Sequence, residues 1–190
     1  MKIDDFFVSL NAKVSNNESD TVAASYTTST SESDNGVNVV FTVGNELRGD
    51  DAAGPSLAEL LERKPVTGWE VVDGSSVPEN HVHAVRRLKP TRVLVVDAAE
   101  MGLMPGDVRR LSQELVASQF LMTTHSLPLS FLLESLKESV TEVEFLGIQP
   151  KDTSFLAPMC SEVAGAVTFI YDWLNSGANI EYFGYVDQVK

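Results

Sequence analysis

Three short segments of this chain each place a metal-binding side chain beside the end of a predicted strand. They are Gly-Asn-Glu-Leu-Arg-Gly-Asp-Asp at 44–51, Val-Val-Asp-Ala at 95–98 and Thr-Thr-His-Ser-Leu-Pro at 123–128. In an open α/β sheet such positions converge on one crevice at the carboxyl edge of the strands. Asp51, Asp97 and His125 can therefore meet in space although they are distant in sequence. Two carboxylates and one imidazole supply three ligands and leave coordination positions open, as a site that acts on a substrate requires. Asp73 ends a further predicted strand on the same edge. It either supports the site as a catalytic carboxylate or caps its own turn.

Each of these residues has a plainer explanation. Asp50 and Asp51 sit at a helix entrance, whose partial positive charge favours ionised carboxylates. One can cap while the other binds. The same acids repel phosphate. The glycines here form neither Gly-x-Gly-x-x-Gly nor a loop ending in Gly-Lys-Ser/Thr, which excludes a nucleotide-binding turn. Asp97 alone reads as a turn residue, and His125 alone as a satisfied half-buried histidine. The coincidence of three ligand types at one sheet edge raises all three. His81 and His83, two apart on a predicted helix, point in different directions and cannot act as a pair. Ser75 and Ser76 lack the Gly-x-Ser-x-Gly elbow. Cys160 has no activating base nearby in sequence and reads as an ordinary thiol.

The elements that must position these groups alternate between strand and helix. Val37–Val43 is a β-branched buried strand closed by Gly44. A helix starts near Asp51–Pro55, where Pro55 is tolerated only close to the helix start, and runs through Leu57, Leu60 and Leu61. Trp69–Asp73 is a second strand. Pro78–Leu88 carries the helical set Val82, Val85 and Leu88. Arg92–Asp97, an unbroken apolar run before its terminal acid, suits a central strand covered on both faces. Pro105-Gly106 precedes a short edge strand at Val108–Leu111. Ser126 and Pro128 begin a helix reaching about Glu138, Val143–Ile148 is another strand, and Ser161 caps a last helix that Gly177 ends. This order predicts a three-layer α/β/α sandwich around a mostly parallel, about five-stranded twisted sheet.

The chain has 190 residues, 43% of them hydrophobic, and a formal charge of −13. One core domain at 37–190 is expected, preceded by a Ser/Thr/Asn-rich extension at 1–36 with too little apolar surface to offset its ordering entropy. The net negative charge argues against nucleic acid and anionic membranes as partners. A single cysteine excludes an internal disulfide and a cysteine-rich zinc site. With no basic-then-apolar leader and no membrane-length apolar run, the expectation is a cytoplasmic protein.

Beyond these readings, the chain resembles the hydrogenase maturation endopeptidases. The resemblance runs from about Val37 to Trp173. It rests on Val-Gly-Asn at 43–45, Gly-Asp-Asp at 49–51, Ala-Gly-Pro at 53–55, Asp-Gly-Ser-Ser-Val-Pro-Glu-Asn at 73–80, Val-Val-Asp-Ala at 95–98, Met-Gly-Leu at 101–103, Met-Thr-Thr-His at 122–125 and Phe-Leu-Gly-Ile-Gln-Pro at 145–150. Asp at position 51 resembles the branch serving the formate-hydrogenlyase hydrogenase; Ala53 departs from a common glycine. The resemblance implies an aspartic-type endopeptidase that removes the C-terminal peptide of a nickel-iron hydrogenase large-subunit precursor after nickel insertion. It implies that Asp51, Asp97 and His125 recognise nickel supplied by that substrate, with no organic cofactor; a monomer is expected. Asp51, Asp97 and Asp73 are the carboxylates available to activate water. A non-catalytic assembly chaperone and a small-molecule metallohydrolase would use the same ligands.

Overall fold

The computed structural model describes residues 36–117, 129–177 and 179–186. The chain divides into two units, 1–35 and 36–190, and the second contains all the described residues. The expected extension, apart from Gly36, lies outside them. So do His125 and the predicted helix start at Ser126–Pro128.

Five strands form one sheet in the order β2-β1-β3-β5-β4: β1 Asn38–Thr42, β2 Trp69–Asp73, β3 Arg92–Ala98, β4 Val108–Arg110 and β5 Glu142–Ile148. The first four in spatial order are parallel, and β4 runs antiparallel along β5. The predicted mostly parallel sheet is therefore present, with the short strand at its edge. β1 and β3 are the strands with the longest apolar runs, and their interior residues are fully buried, as expected of strands covered on both faces.

Side-chain alternation divides the core into two layers. Val39, Phe41, Val93, Val95 and Phe145 face helices α2 (Val82–Leu88) and α4 (Leu129–Lys137), which contribute Val85, Leu132, Leu133 and Leu136. The intervening residues, among them Val40, Leu94, Val96, Leu146 and Ile148, lie on the opposite face, where α1 (Ala53–Arg63) and α5 (Ser161–Ser176) pack together. α1 buries Leu57, Ala58 and Leu61, and burying each large aliphatic side chain contributes about 1.5–3 kcal/mol. Pro65 follows its end, and α5 stops at Gly177, left-handed at φ 66°.

Four details depart from expectation. The predicted helix 78–88 begins as a 3-10 turn, Pro78–His81, before α2 proper. Cys160 occupies the N-cap of α5 in extended conformation, so Ser161 is the first helical residue and not the cap. Helix α3 (Gln113–Ala117) and the 3-10 turn Ile180–Tyr182 were not expected. Both are too short to show periodicity. Tertiary packing holds them: Leu115 and Val116 join the core, and Phe183 meets the Trp173 ring at 5.0 Å.

Candidate active site

The chain leaves β1 for β2 on one side and returns to β3 on the other, so the connection direction reverses between β1 and β3. Outside the carboxyl ends of strands flanking such a reversal is where open α/β sheets hold ligands. The loop after β1 carries Asp51, and the end of β3 carries Asp97.

Backbone constraints set the first of these. After Val43 the chain turns at Gly44, whose φ is +147° and where an added β-carbon would lie 2.1 Å from the Asp51 carbonyl oxygen. That close approach lets Asn45 N–H donate to the same carbonyl at 3.0 Å, while Asp51 N–H donates to Arg48 at 2.9 Å. The 3-10 turn Gly49–Ala52 then feeds α1. Gly54 lies directly on β1: a β-carbon there would sit 2.0 Å from the Val43 carbonyl oxygen. The two glycines bring the helix entrance against the end of β1, and the turn packs on β3.

Asp50 secures this turn from behind. It is fully buried. Its Oδ2 accepts from the Lys151 and Asp152 N–H groups at 2.7 and 3.0 Å, and its Oδ1 accepts from the Cys160 N–H at 2.7 Å. Its own N–H donates to the Asp152 carbonyl at 2.9 Å. Burial acts to raise the carboxyl pKa, but the N–H groups of Cys160, Asp152 and Lys151 outweigh it and hold Asp50 below the usual aspartate value. Of the acid pair, Asp50 thus does structural work, although by joining distant segments and not by capping α1. Burial and the neighbouring Asp50 carboxylate push the Cys160 thiol up, which disfavours the thiolate a nucleophile would need.

Asp51 and Asp97 are 1% and 0% exposed. A carboxylate withdrawn from water is stable only when donors or a cation balance it, and oxygen ligands of this kind suit a divalent ion. Among the described residues no cluster of three or more His, Cys, Asp or Glu is placed to hold a metal. The third expected donor, His125, lies outside those residues.

Asp73 has a different environment. Its Oδ1 accepts from Thr42 Oγ1 at 3.2 Å and from Ser75 N–H at 2.8 Å, closing the turn after β2. Register pairs Thr42 with both Asp73 and Val96. By alternation Asp73 leaves the sheet on the Thr42 face, whereas Asp97, next after Val96, leaves on the other. The strand register therefore does not bring Asp73 and Asp97 together.

Gln149 carries a positioning role that motif reading did not assign. It is buried, its Oε1 accepts from Met101 and Leu103 N–H at 2.7 and 3.1 Å, and its Nε2 donates to Glu100 and Pro150. These bonds pin the loop that follows Asp97. The available signal was an amide closing an apolar strand immediately before Pro150.

The chain is similar to known proteins. The family model described as hydrogenase maturation protease matches residues 55–176. The hydrogenase 3 maturation protease of Escherichia coli K12 is 48% identical over 136 residues, 72% of this chain and 87% of that protein. A putative hydrogenase maturation protease of Methanocaldococcus jannaschii is 31% identical, covering 66% and 78%. The solution structure of the endopeptidase HycI from E. coli superposes with a TM-score of 0.75 at 43% identity, over 81% of this chain and 99% of that one. With the family model matched over most of the chain and identity of this extent, the chain belongs to the hydrogenase maturation protease family and is a peptidase.

Proposed function

We propose that this peptidase removes the C-terminal peptide of a nickel-iron hydrogenase large-subunit precursor after nickel insertion, and that Asp51, Asp97 and His125 recognise the nickel the precursor carries. The observation that carries the reading is the burial of Asp51, in the turn after β1, and of Asp97, near the end of β3, next to the reversal between those strands. Two carboxylates and an imidazole, with no thiolate, bind a borderline metal modestly and leave its other positions to the substrate's own ligands. Nickel then acts as part of the substrate, so that only a loaded precursor is cut. In this reading Asp51 and Asp97 accept a proton from an attacking water. Asp73, committed to its turn, has a supporting place.

The same reading makes the enzyme a cytoplasmic monomer. Its one cysteine is free, which suits a reducing compartment, and no helix among the described residues is long and apolar enough to cross a membrane. The deciding experiment incubates metal-free protein with the precursor, with and without nickel, and follows the precursor mass. Cleavage of the loaded form alone is expected. Equal cleavage of both forms would refute nickel recognition and point to a peptidase that uses its carboxylates without reading the metal.

A further inference from the structure

The two loops that Asp50 ties together hold three large apolar side chains out in solvent. Leu47, Phe155 and Leu156 are 54%, 64% and 69% exposed. Their backbones lie side by side, with the Leu156 N–H donating to the Leu47 carbonyl at 2.7 Å. The presentation is braced. Asn45 Oδ1 accepts from Leu47 N–H at 3.0 Å, Asp152 Oδ1 accepts from Ser154 N–H at 2.8 Å, and the Ser154 carbonyl accepts from Ala157 N–H at 3.2 Å. Leu156 also holds φ at +61°, a left-handed conformation unfavourable for any residue with a β-carbon. Glycine or asparagine would occupy that backbone more comfortably. Folding of the loop thus gives no reason for a water-exposed leucine there, and a backbone outlier of this kind points toward function.

Building on the functional reading above, we propose that Leu47, Phe155 and Leu156 form a docking surface for the hydrogenase large-subunit precursor, and that they take an apolar stretch flanked by Lys or Arg. Position is the first argument. Leu47 lies in the same loop as Asp51, so a chain being cut at the Asp51 site passes beside the patch. Charge is the second. Exposed Glu46 and Asp152 flank the apolar side chains beside half-buried Arg48, Lys151 stands across from Glu162 at 3.9 Å, and the whole chain carries −13, so the exposed border keeps an excess of acid. A basic border on the partner meets this charge. Size is the third. Three side chains fall well short of the roughly 800 Å² per partner of a stable protein pair, so the patch suits a transient enzyme–substrate contact better than a second copy of this chain. Bracing before binding lowers the ordering cost of that contact.

The test uses the full chain with a Leu47→Ser/Phe155→Ser double substitution and, separately, Leu156→Asn, which is compatible with the left-handed backbone and leaves the loop intact. Thermal melting confirms that each variant is folded. The readouts are KM and kcat on nickel-loaded precursor, its Kd on a sensor surface at low and high salt, and sedimentation of the protein alone. KM and Kd should rise about tenfold in the double variant, as on truncating anchor side chains, with kcat nearly unchanged, wild-type binding weakened by salt, and all forms monomeric. Folded variants with wild-type KM and Kd would overturn the proposal, as would a fall in kcat alone. A wild-type dimer that the substitutions dissociate, with KM unchanged, would assign the patch to self-association instead. Wild-type cleavage matched by the variants removes only the docking proposal. A wild-type protein that neither binds nor cuts the precursor removes the functional reading as well.

Discussion

Asp50 Oδ1 accepts a 2.7 Å hydrogen bond from the Cys160 N–H across 110 residues of sequence. One carboxylate thereby fastens the N-cap of α5 to the turn that carries Asp51. Its other oxygen holds Lys151 and Asp152, so the loops after β1 and β5 form one unit around the turn that carries Asp51.

Replacing Asp50 with Ala should lower stability by about 3 kcal/mol, because it leaves three inward N–H donors without their charged acceptor. Urea unfolding measures this directly. A loss below about 0.5 kcal/mol, the range of an ordinary surface substitution, would mean that the two loops are held by other contacts.

The same residue sets a pH dependence. Its folded-state pKa lies below the ordinary aspartate value of 3.8, so between the two values the folded protein binds fewer protons than the unfolded chain. The stability it contributes is full above pH 3.8 and is lost as pH falls through the folded value. Asp50→Asn, which cannot titrate, should therefore differ most from wild type at neutral pH. The gap between their melting temperatures should close as pH falls below 3.8. A gap that is constant from neutral pH to acid would assign the effect to packing alone.

Gly54→Ala should cost about 1–3 kcal/mol, the range for forcing atoms into a packed interface, since the new β-carbon meets the Val43 carbonyl oxygen at 2.0 Å. Relief of that clash moves α1, and Asp51 with it, away from the end of β1. A fall in precursor cleavage at temperatures where the variant remains folded is the expected signature. Full activity in a merely less stable protein would show that the entrance of α1 need not be so close.

Asp51→Asn, Asp97→Asn and His125→Ala should each reduce kcat/KM on nickel-loaded precursor by at least about a hundredfold, a loss of some 2.7 kcal/mol in transition-state stabilisation. Circular dichroism spectra should remain those of the wild type. Asp73→Asn should have a smaller effect on cleavage, because its Oδ1 contacts to Thr42 and Ser75 survive in the amide. A hundredfold loss at Asp73 would move it into the catalytic group.

Much of this protein was legible in its sequence because the relevant physics is local. β-branched runs ending in Gly44, Asp73 and Asp97 specify strands, and the spacing of Leu57, Leu60 and Leu61 after Pro55 specifies a helix. Their alternation implies a largely parallel sheet with helices on both faces. The candidate acids were visible for the same reason: an ionisable side chain closing an apolar strand conflicts with its local pattern. Tertiary structure decided what no local pattern encodes. It divided the Asp50-Asp51 pair, giving Asp50 partners more than a hundred residues away. It placed Asp73 and Asp97 on opposite faces, since that follows from strand order and register and not from either strand alone. It set Gln149 beneath the loop after β3, and it held Leu156 in a left-handed conformation through its bond to Leu47. Hydrogen bonds to buried carboxylates and amides join residues by proximity in the folded chain, so their partners are defined only once the sheet has assembled.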